Sequence, residues 1–192
     1  MVIPTESVYA VATDAFSARG VAAMREIKGT DAGVPLPVMV GRRSTVSGIA
    51  ARVSSQAQSL MDAFWPGPLT LLLTPQPSLA WDLTNNAPVA VRMPLHPLAL
   101  ALLVRSGPLV VTTANVPGLV APVDVDDALA QLGEGIAVAL DAGSLLDEAA
   151  LPSSVVDASG DSPVVVRLGA LSIEQLRRIC PDVRTESDDV GA

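Results

Sequence analysis

Basic and hydroxyl-bearing side chains gather where apolar runs of this chain end. Lys28 follows a helical stretch, Arg92 closes the run VAVR, Thr112, Thr113 and Asn115 close LVVTT, Ser153 and Ser154 precede VVD, and Arg167 closes VVVR. A guanidinium presents a planar fork of donors that matches a carboxylate or phosphate, and an ammonium supplies a point charge. Hydroxyls and amides at such positions can orient a small polar ligand or cap free backbone groups. The chain also opens with Thr5, Glu6, Ser7 and Tyr9 crowded into five positions after the apolar pair Val2 and Ile3. Together the set outlines a binding site at strand ends. It does not suit covalent catalysis by a serine elbow, a zinc protease helix, a phosphate-binding P-loop or a dinucleotide fingerprint, because none of those motifs occurs.

Each residue taken singly has a plainer reading. Lys28 could be a solvated charge at a helix C-terminus, and Arg92 or Arg167 a surface ion-pair partner. His96, followed by Pro97, reads as a helix-start residue before it reads as a base. TTAN can be turn chemistry, and FWPGPLT a helix stop with Trp65 anchored in the core.

Short Val- and Leu-rich runs over 36–40, 69–74, 89–93, 109–113, 136–140, 155–157 and 164–168 predict strands buried on both faces, since they lack alternation. Helical patterns fall over 18–27, 54–64, 97–105, 124–132 and 172–179, with Asp124 and Ser172 as N-caps. The pattern is that of an α/β protein with a mixed sheet. In such sheets ligands sit outside strand ends, so the clusters above can converge on one cleft. The 192 residues are 49% apolar, enough for a single core over 1–180, and the polar stretch 181–192 reads as a disordered acidic tail. Twelve basic against 20 acidic residues give a net charge of −8, which disfavours tight binding of nucleic acid or an anionic membrane. Cys180 and His96 are alone of their kinds, so neither an internal disulfide nor a Cys/His zinc site is available, and no apolar run is long enough to span a membrane. These features point to a cytoplasmic protein.

The blocks PTESVYAVATDA, IKGTDAGVPLPVMV, FWPGPLTLLL, VAVRMPLHPLA, VVTTANVPG, SSVVDASG and VVVRLGAL, in that order, resemble the YrdC-like family of threonylcarbamoyl-AMP synthases over nearly the whole chain. The resemblance implies an α/β fold with an open, twisted, mixed, mostly parallel sheet and flanking helices, of the YrdC-like, DHBP synthase-like kind. It also implies synthesis of L-threonylcarbamoyladenylate and pyrophosphate from L-threonine, bicarbonate and ATP with Mg2+. A separate tRNA threonylcarbamoyl transferase complex would then use the product to modify the adenosine beside the anticodon. Thr5, Tyr9 and Arg92 match the threonine pocket, with Arg92 suited to the carboxylate. Lys28 matches the first residue of the K-x-R motif, Thr113 and Asn115 the S-x-N motif, Ser153 and Ser154 the usual Ser-Thr pair, and Arg167 a late arginine on the nucleotide side. Lys28 and Arg92 are the cations expected to stabilise charge during the reaction; no protein metal ligand is expected.

Four departures accompany the resemblance. In KGTDAGVP the Arg of K-x-R is Thr30, the next position is Asp31 and the usual His is Val34, so positive charge is lost and a carboxylate gained. Asp147 and Glu148 stand in a loop that is normally Gly-rich, Ala10 replaces the Gly after the Tyr, and PT is preceded by a short N-terminus. Two readings follow from the residues: an active synthase with a modified phosphate site, or a diverged relative that binds nucleotide, a small ligand or a partner protein without completing adenylation.

Overall fold

A computed structural model describes residues 1–31, 34–79, 81, 83, 87–145 and 151–185. In chain order the elements are β1 (Val2–Pro4), β2 (Tyr9–Asp14), α1 (Ala18–Lys28), β3 (Val38–Met39), a 3-10 turn over Arg43–Thr45 leading into α2 (Val46–Ile49), α3 (Ser55–Phe64), β4 (Leu69–Leu73) and β5 (Val89–Arg92). They continue with α4 (Pro97–Ser106), β6 (Leu109–Thr113), α5 (Val125–Leu132), a 3-10 turn over Gly133–Gly135, β7 (Ser154–Asp157), β8 (Val164–Arg167), α6 (Ile173–Ile179) and β9 (Arg184–Thr185).

Helix starts follow the capping chemistry of the sequence. Ser17 accepts from the Gly20 amide, Ser54 from the Ala57 amide and Asp124 from the Asp127 amide. Ser172 and Gln175 form a reciprocal capping box on α6. The two expected caps, Asp124 and Ser172, are therefore in place. Helix α1 ends at Gly29, whose φ of 56° is the left-handed conformation that closes a helix without a Cβ penalty.

The nine strands form one sheet in the order β1-β2-β6-β3-β5-β4-β7-β8-β9. Its mixed character and flanking helices agree with the sequence reading, but its expected mostly parallel direction does not. The β1–β2, β2–β6, β6–β3, β5–β4 and β7–β8 pairs are antiparallel, against parallel β3–β5, β4–β7 and β8–β9. Continuous apolarity reports burial of both faces, as in the first four residues of β2 and the first three of β4 and β6. It says nothing about direction. The short links between β1 and β2 and between β7 and β8 can join only antiparallel neighbours, because a parallel crossover needs a dozen or more residues.

Two further expectations change. The stretch 136–140 forms no named strand: it meets β1 through a single bridge between Val2 and Ala139, with Val2 N–H to Val138 O at 2.8 Å and Leu140 N–H to Val2 O at 3.0 Å. Residues 181–185, expected to belong to a disordered tail, are instead folded: Val183 is only 2% exposed and Arg184 N–H bonds Pro163 O at 3.0 Å, adding β9 to the sheet edge. One buried apolar side chain within a polar stretch was enough to dock it. Residues 186–192, and Asp147 and Glu148, lie outside the described residues.

The core lies around β4, β5, β6 and β7, with Leu71, Val91, Val110 and Val156 fully buried, and α3 contributes Leu60 and Met61. Trp65 is 3% exposed and its indole N–H donates to Leu69 O at 2.7 Å, so the FWPGPLT block is a core anchor that delivers β4 into the sheet. Among the described residues no helix is long and apolar enough to cross a membrane.

Candidate functional site

A cavity of about 570 Å3 lies over the middle of the sheet. Its floor is one cross-strand row, because Met39 pairs with Arg92, Arg92 with Thr70, Thr70 with Val155 and Val155 with Arg167. Its rim includes Thr5 and Ser7 from the β1–β2 loop, Pro35 and Pro37 before β3, and Ser153 at the start of β7. The chain thus brings Thr5, Arg92, Thr113, Ser153 and Arg167 to one cavity, as the strand-end clusters suggested. Lys28, Tyr9, Asn115 and Ser154 do not line it.

Arg92 is held on two sides. Its Nε donates to Gly67 O at 3.1 Å and its Nη2 pairs with Glu6 Oε1, the arginine side chain being 14% exposed and the glutamate 21%. Burial, and then the charge of Arg167, lowers its pKa to about 10, so it stays cationic at neutral pH. Glu6 also accepts from the Leu95 amide at 3.4 Å. The carboxylate in the opening segment is therefore the counter-ion of the buried guanidinium. Its place in the polar crowd of the opening segment was the only signal for it. Thr5 turns its hydroxyl into the loop, donating to Val8 O at 2.6 Å and accepting from the Val8 amide at 3.3 Å.

Lys28 is the single lysine of the chain and is not a solvated helix-end charge: it is 6% exposed. Its Nζ donates to Thr113 O at 2.8 Å, to Asn115 O, and to Asn115 Oδ1 at 3.0 Å, and burial lowers its pKa. Asn115 Oδ1 also accepts from Thr113 Oγ1 at 2.6 Å, while its Nδ2 donates to Leu119 O at 2.7 Å. Lys28 and Asn115 therefore stand behind the cavity wall and fix the end of β6, where Thr113 faces the cavity. The last turn of α1 points the lysine at three oxygens left free where β6 ends, and these satisfy its donors. Arg25, one helical turn earlier, was missed by the sequence reading. It is 7% exposed and its Nη1 donates to Asp31 O at 2.7 Å and Val34 O at 2.8 Å, clamping the loop that carries the altered K-x-R segment. Thr30 and Asp31 do not line the cavity.

Tyr9 is fully buried. Its hydroxyl donates to Gly143 O and accepts from the Ala142 amide, both at 2.8 Å, and burial pushes its pKa above the ordinary 10.0. It pins the 142–143 segment and does not reach the cavity, because β2 turns it toward the opposite side of the sheet from Ala10, which does line it. Ala10, where the family pattern has Gly, is itself part of the cavity surface.

Ser153 and Ser154 have separate roles, since neighbours on a strand face opposite ways. Ser154 is fully buried, donates to Leu171 O at 2.7 Å, and accepts from the amides of Gly169 at 2.8 Å and Leu171 at 3.0 Å, which leaves it no capacity for a ligand. Gly169 is required there, because a Cβ on it would come within 2.1 Å of Pro152 O. Ser153 Oγ lies 2.9 Å from Thr70 Oγ1, and Arg167 Nη2 donates to Ser153 O at 2.8 Å and Ser153 Oγ at 3.4 Å. Thr70 was read only as part of FWPGPLT; its cavity position follows from a strand pairing that sequence does not display. His96 is the N-cap residue of α4, with Pro97 in the first turn, in agreement with the helix-start reading.

This arrangement of a mixed nine-stranded sheet with a cationic, hydroxyl-bearing cavity on one face has counterparts. The Sua5, YciO and YrdC family, described as telomere recombination, matches residues 1–169, and the chain belongs to that family. A Mycobacterium tuberculosis protein provisionally named threonylcarbamoyl-AMP synthase is 41% identical over 180 residues, covering 93% of this chain and 82% of that protein. The Bacillus subtilis threonylcarbamoyl-AMP synthase is 33% identical over 186 residues, covering 95% of this chain and 53% of that enzyme. Among solved structures, Pyrococcus abyssi Sua5 complexed with L-threonine superposes with a TM-score of 0.87 at 29% identity, over 100% of this chain and 56% of that one. Escherichia coli YciO gives a TM-score of 0.75 at 26% identity, over 91% of this chain and 86% of that one. This chain thus spans little more than half of the B. subtilis and P. abyssi proteins.

Two predictions test the reassigned residues. Ser154→Ala strands two buried amides and a carbonyl and should cost about 1–3 kcal/mol. That lowers Tm at roughly 2–4 °C per kcal/mol for a chain of this size; an unchanged melting temperature by calorimetry would contradict the role given to Ser154. Tyr9 is the single tyrosine, so tyrosinate absorbance follows it alone. Because the fold raises its pKa, the folded chain holds the phenol proton more tightly than the unfolded chain. The stability this contributes is whole below the ordinary 10.0 and is lost as pH rises through the raised value. The native titration midpoint should lie above 10.0 and drop to it in denaturant, whereas a native midpoint at the ordinary value would place the ring in water.

Proposed function

We propose that this chain is a threonylcarbamoyl-AMP synthase that makes L-threonylcarbamoyladenylate and pyrophosphate from L-threonine, bicarbonate and ATP. The observation that carries the reading is Arg92, a mostly buried guanidinium fixed by Gly67 and Glu6 on the floor of the cavity, in a family one of whose members has been seen with L-threonine. A guanidinium so held gives a carboxylate a preformed donor fork at no cost in side-chain ordering.

In the first step the free amine of threonine attacks the bicarbonate carbon. A C–N bond forms and, after proton transfer, water leaves to give a carbamate. In the second a carbamate oxygen attacks the α-phosphorus of ATP, a new P–O bond forms, and the bond to the β-phosphate oxygen breaks to release pyrophosphate. Both steps gather negative charge on oxygen, and Arg92 and Arg167 are the two cations on the cavity surface to meet it. Thr5 closes the threonine end, while Thr113, Ser153 and Arg167 serve the nucleotide side. Lys28, Asn115, Ser154 and Tyr9 act from behind as supports.

Magnesium would accompany ATP. Among the described residues no three His, Cys, Asp or Glu side chains gather to hold a metal ion, and Glu6 is engaged by Arg92. Mg2+ is commonly bound through substrate phosphates and waters with few protein ligands, so these residues provide no cage of their own for it. The adenylate is a reactive mixed anhydride, which calls for a second protein, a tRNA threonylcarbamoyl transferase, to consume it. A net charge of −8 fits a synthase that hands over a small intermediate without gripping RNA, and such a pair would work in the cytoplasm.

Pyrophosphate release from ATP should require both L-threonine and bicarbonate. Arg92→Ala should weaken L-threonine binding by about 2 kcal/mol or more, as when a charged hydrogen bond is removed. Calorimetry showing equal threonine affinity in the wild type and the variant would overturn the assignment of Arg92, and pyrophosphate release independent of threonine would overturn the synthase itself.

A further inference from the structure

Thr70 sits at the centre of the cavity floor, one strand from Arg92 and two from Arg167 in the same cross-strand row. Its hydroxyl meets that of Ser153 at 2.9 Å, and both residues are 8% exposed. Either hydroxyl can be the donor in this contact. The guanidinium of Arg167 can only donate, so Ser153 Oγ is the acceptor at 3.4 Å. Ser153 keeps its own proton, and one of the two arrangements open to the pair directs it at Thr70 Oγ1. That arrangement leaves the Thr70 proton without an acceptor among the described residues, on a side chain whose open side is the cavity. A hydroxyl chain polarised by a cation at one end presents its last proton as a strengthened donor at the other.

Charge bears on the same point independently. Two guanidiniums face the cavity, Arg92 and Arg167, and the carboxylate of Glu6 balances one of them. Among the described residues Arg167 is left with no carboxylate paired to it, two strands from Thr70 in the same row.

We infer that Thr70 contacts substrate directly, its hydroxyl donating to the oxygen of a carboxylate-type monoanion seated between Arg92 and Arg167. The inference rests on the synthase reading and deepens it. In that reaction two substrates carry such an oxygen, L-threonine and bicarbonate, and the test separates them.

Wild type, Thr70→Val, Thr70→Ser and Ser153→Ala are compared in two measurements: the dissociation constant of L-threonine by calorimetry in carbonate-free buffer, and the KM for bicarbonate in pyrophosphate release at saturating threonine and ATP. Thr70→Val keeps the shape and removes the proton, so one of the two constants should rise by about tenfold or more, as expected for a lost hydrogen bond to a charged group. Thr70→Ser keeps the donor and should stay within about threefold of wild type, a difference below 1 kcal/mol. A rise in the threonine constant identifies the amino-acid carboxylate, and a rise in the bicarbonate KM identifies bicarbonate; either result supports the inference. Neither constant rising in Thr70→Val, or a larger loss in Ser153→Ala than in Thr70→Val, overturns it. If Thr70→Val does not fold, Thr70→Ala carries the same expectation. A wild type that releases no pyrophosphate brings down the synthase reading itself, whereas an active wild type matched by Thr70→Val brings down only the role of Thr70.

Discussion

The fixing of Arg92 between Gly67 and Glu6 is the constraint around which the rest of the site is arranged. A guanidinium taken largely out of water is costly unless its donors are met, and a buried ion pair returns little net stability once desolvation is counted. What the pair supplies is orientation. Meeting the Nε donor requires the turn after Trp65 to bring the Gly67 carbonyl to the end of β5, and meeting Nη2 requires the β1–β2 loop to lie over the sheet. The same loop brings Thr5 and Ser7 to the rim. One cation therefore dictates the position of two loops that are 61 residues apart at Glu6 and Gly67.

Behind the surface, a second set of polar groups is buried and satisfied by the protein itself. Lys28 ties α1 to the end of β6, Ser154 ties β7 to the segment leading into α6, and Tyr9 ties β2 to residues 142–143. Each anchors a segment next to one that faces the cavity: Thr113 beside Asn115, Ser153 beside Ser154, Ala10 beside Tyr9. Alternation explains the division for Ala10 and Tyr9 on β2 and for Ser153 and Ser154 where the chain enters β7, one of each pair meeting the cavity and the other the core, whereas Asn115 lies beyond the end of β6.

Helices and caps were legible because their signals are local: Asp124 and Ser172 cap where their side chains and spacing say they should. Arg92 and Arg167 were legible as strand-end cations. Strand direction was not, because apolar runs such as LTLLL report burial and not orientation, and the connections decide the rest. Nor could chemistry alone say which member of a polar pair faces the ligand. Tyr9 and Ser154 carry the right functional groups, yet a shift of one residue along a strand sends them to the other face. Thr70 and Arg25 were missed for the complementary reason: one owes its place to cross-strand register and the other to a loop folded back on its own helix, and both are tertiary facts.

The cross-strand row from Met39 to Arg167 draws on five strands, and its members are spread over 128 positions of the sequence. During synthesis the ribosome must therefore deliver the chain through Arg167 before the cavity floor can exist. Pairings of such long sequence separation close late and slowly, since the entropy of loop closure is met before the contacts form. Any substrate that binds the completed floor, and not the partly made sheet, draws the last strands into place by mass action. Bound substrate thus adds to the stability of the finished sheet, a contribution the chain cannot receive before β8 is in place.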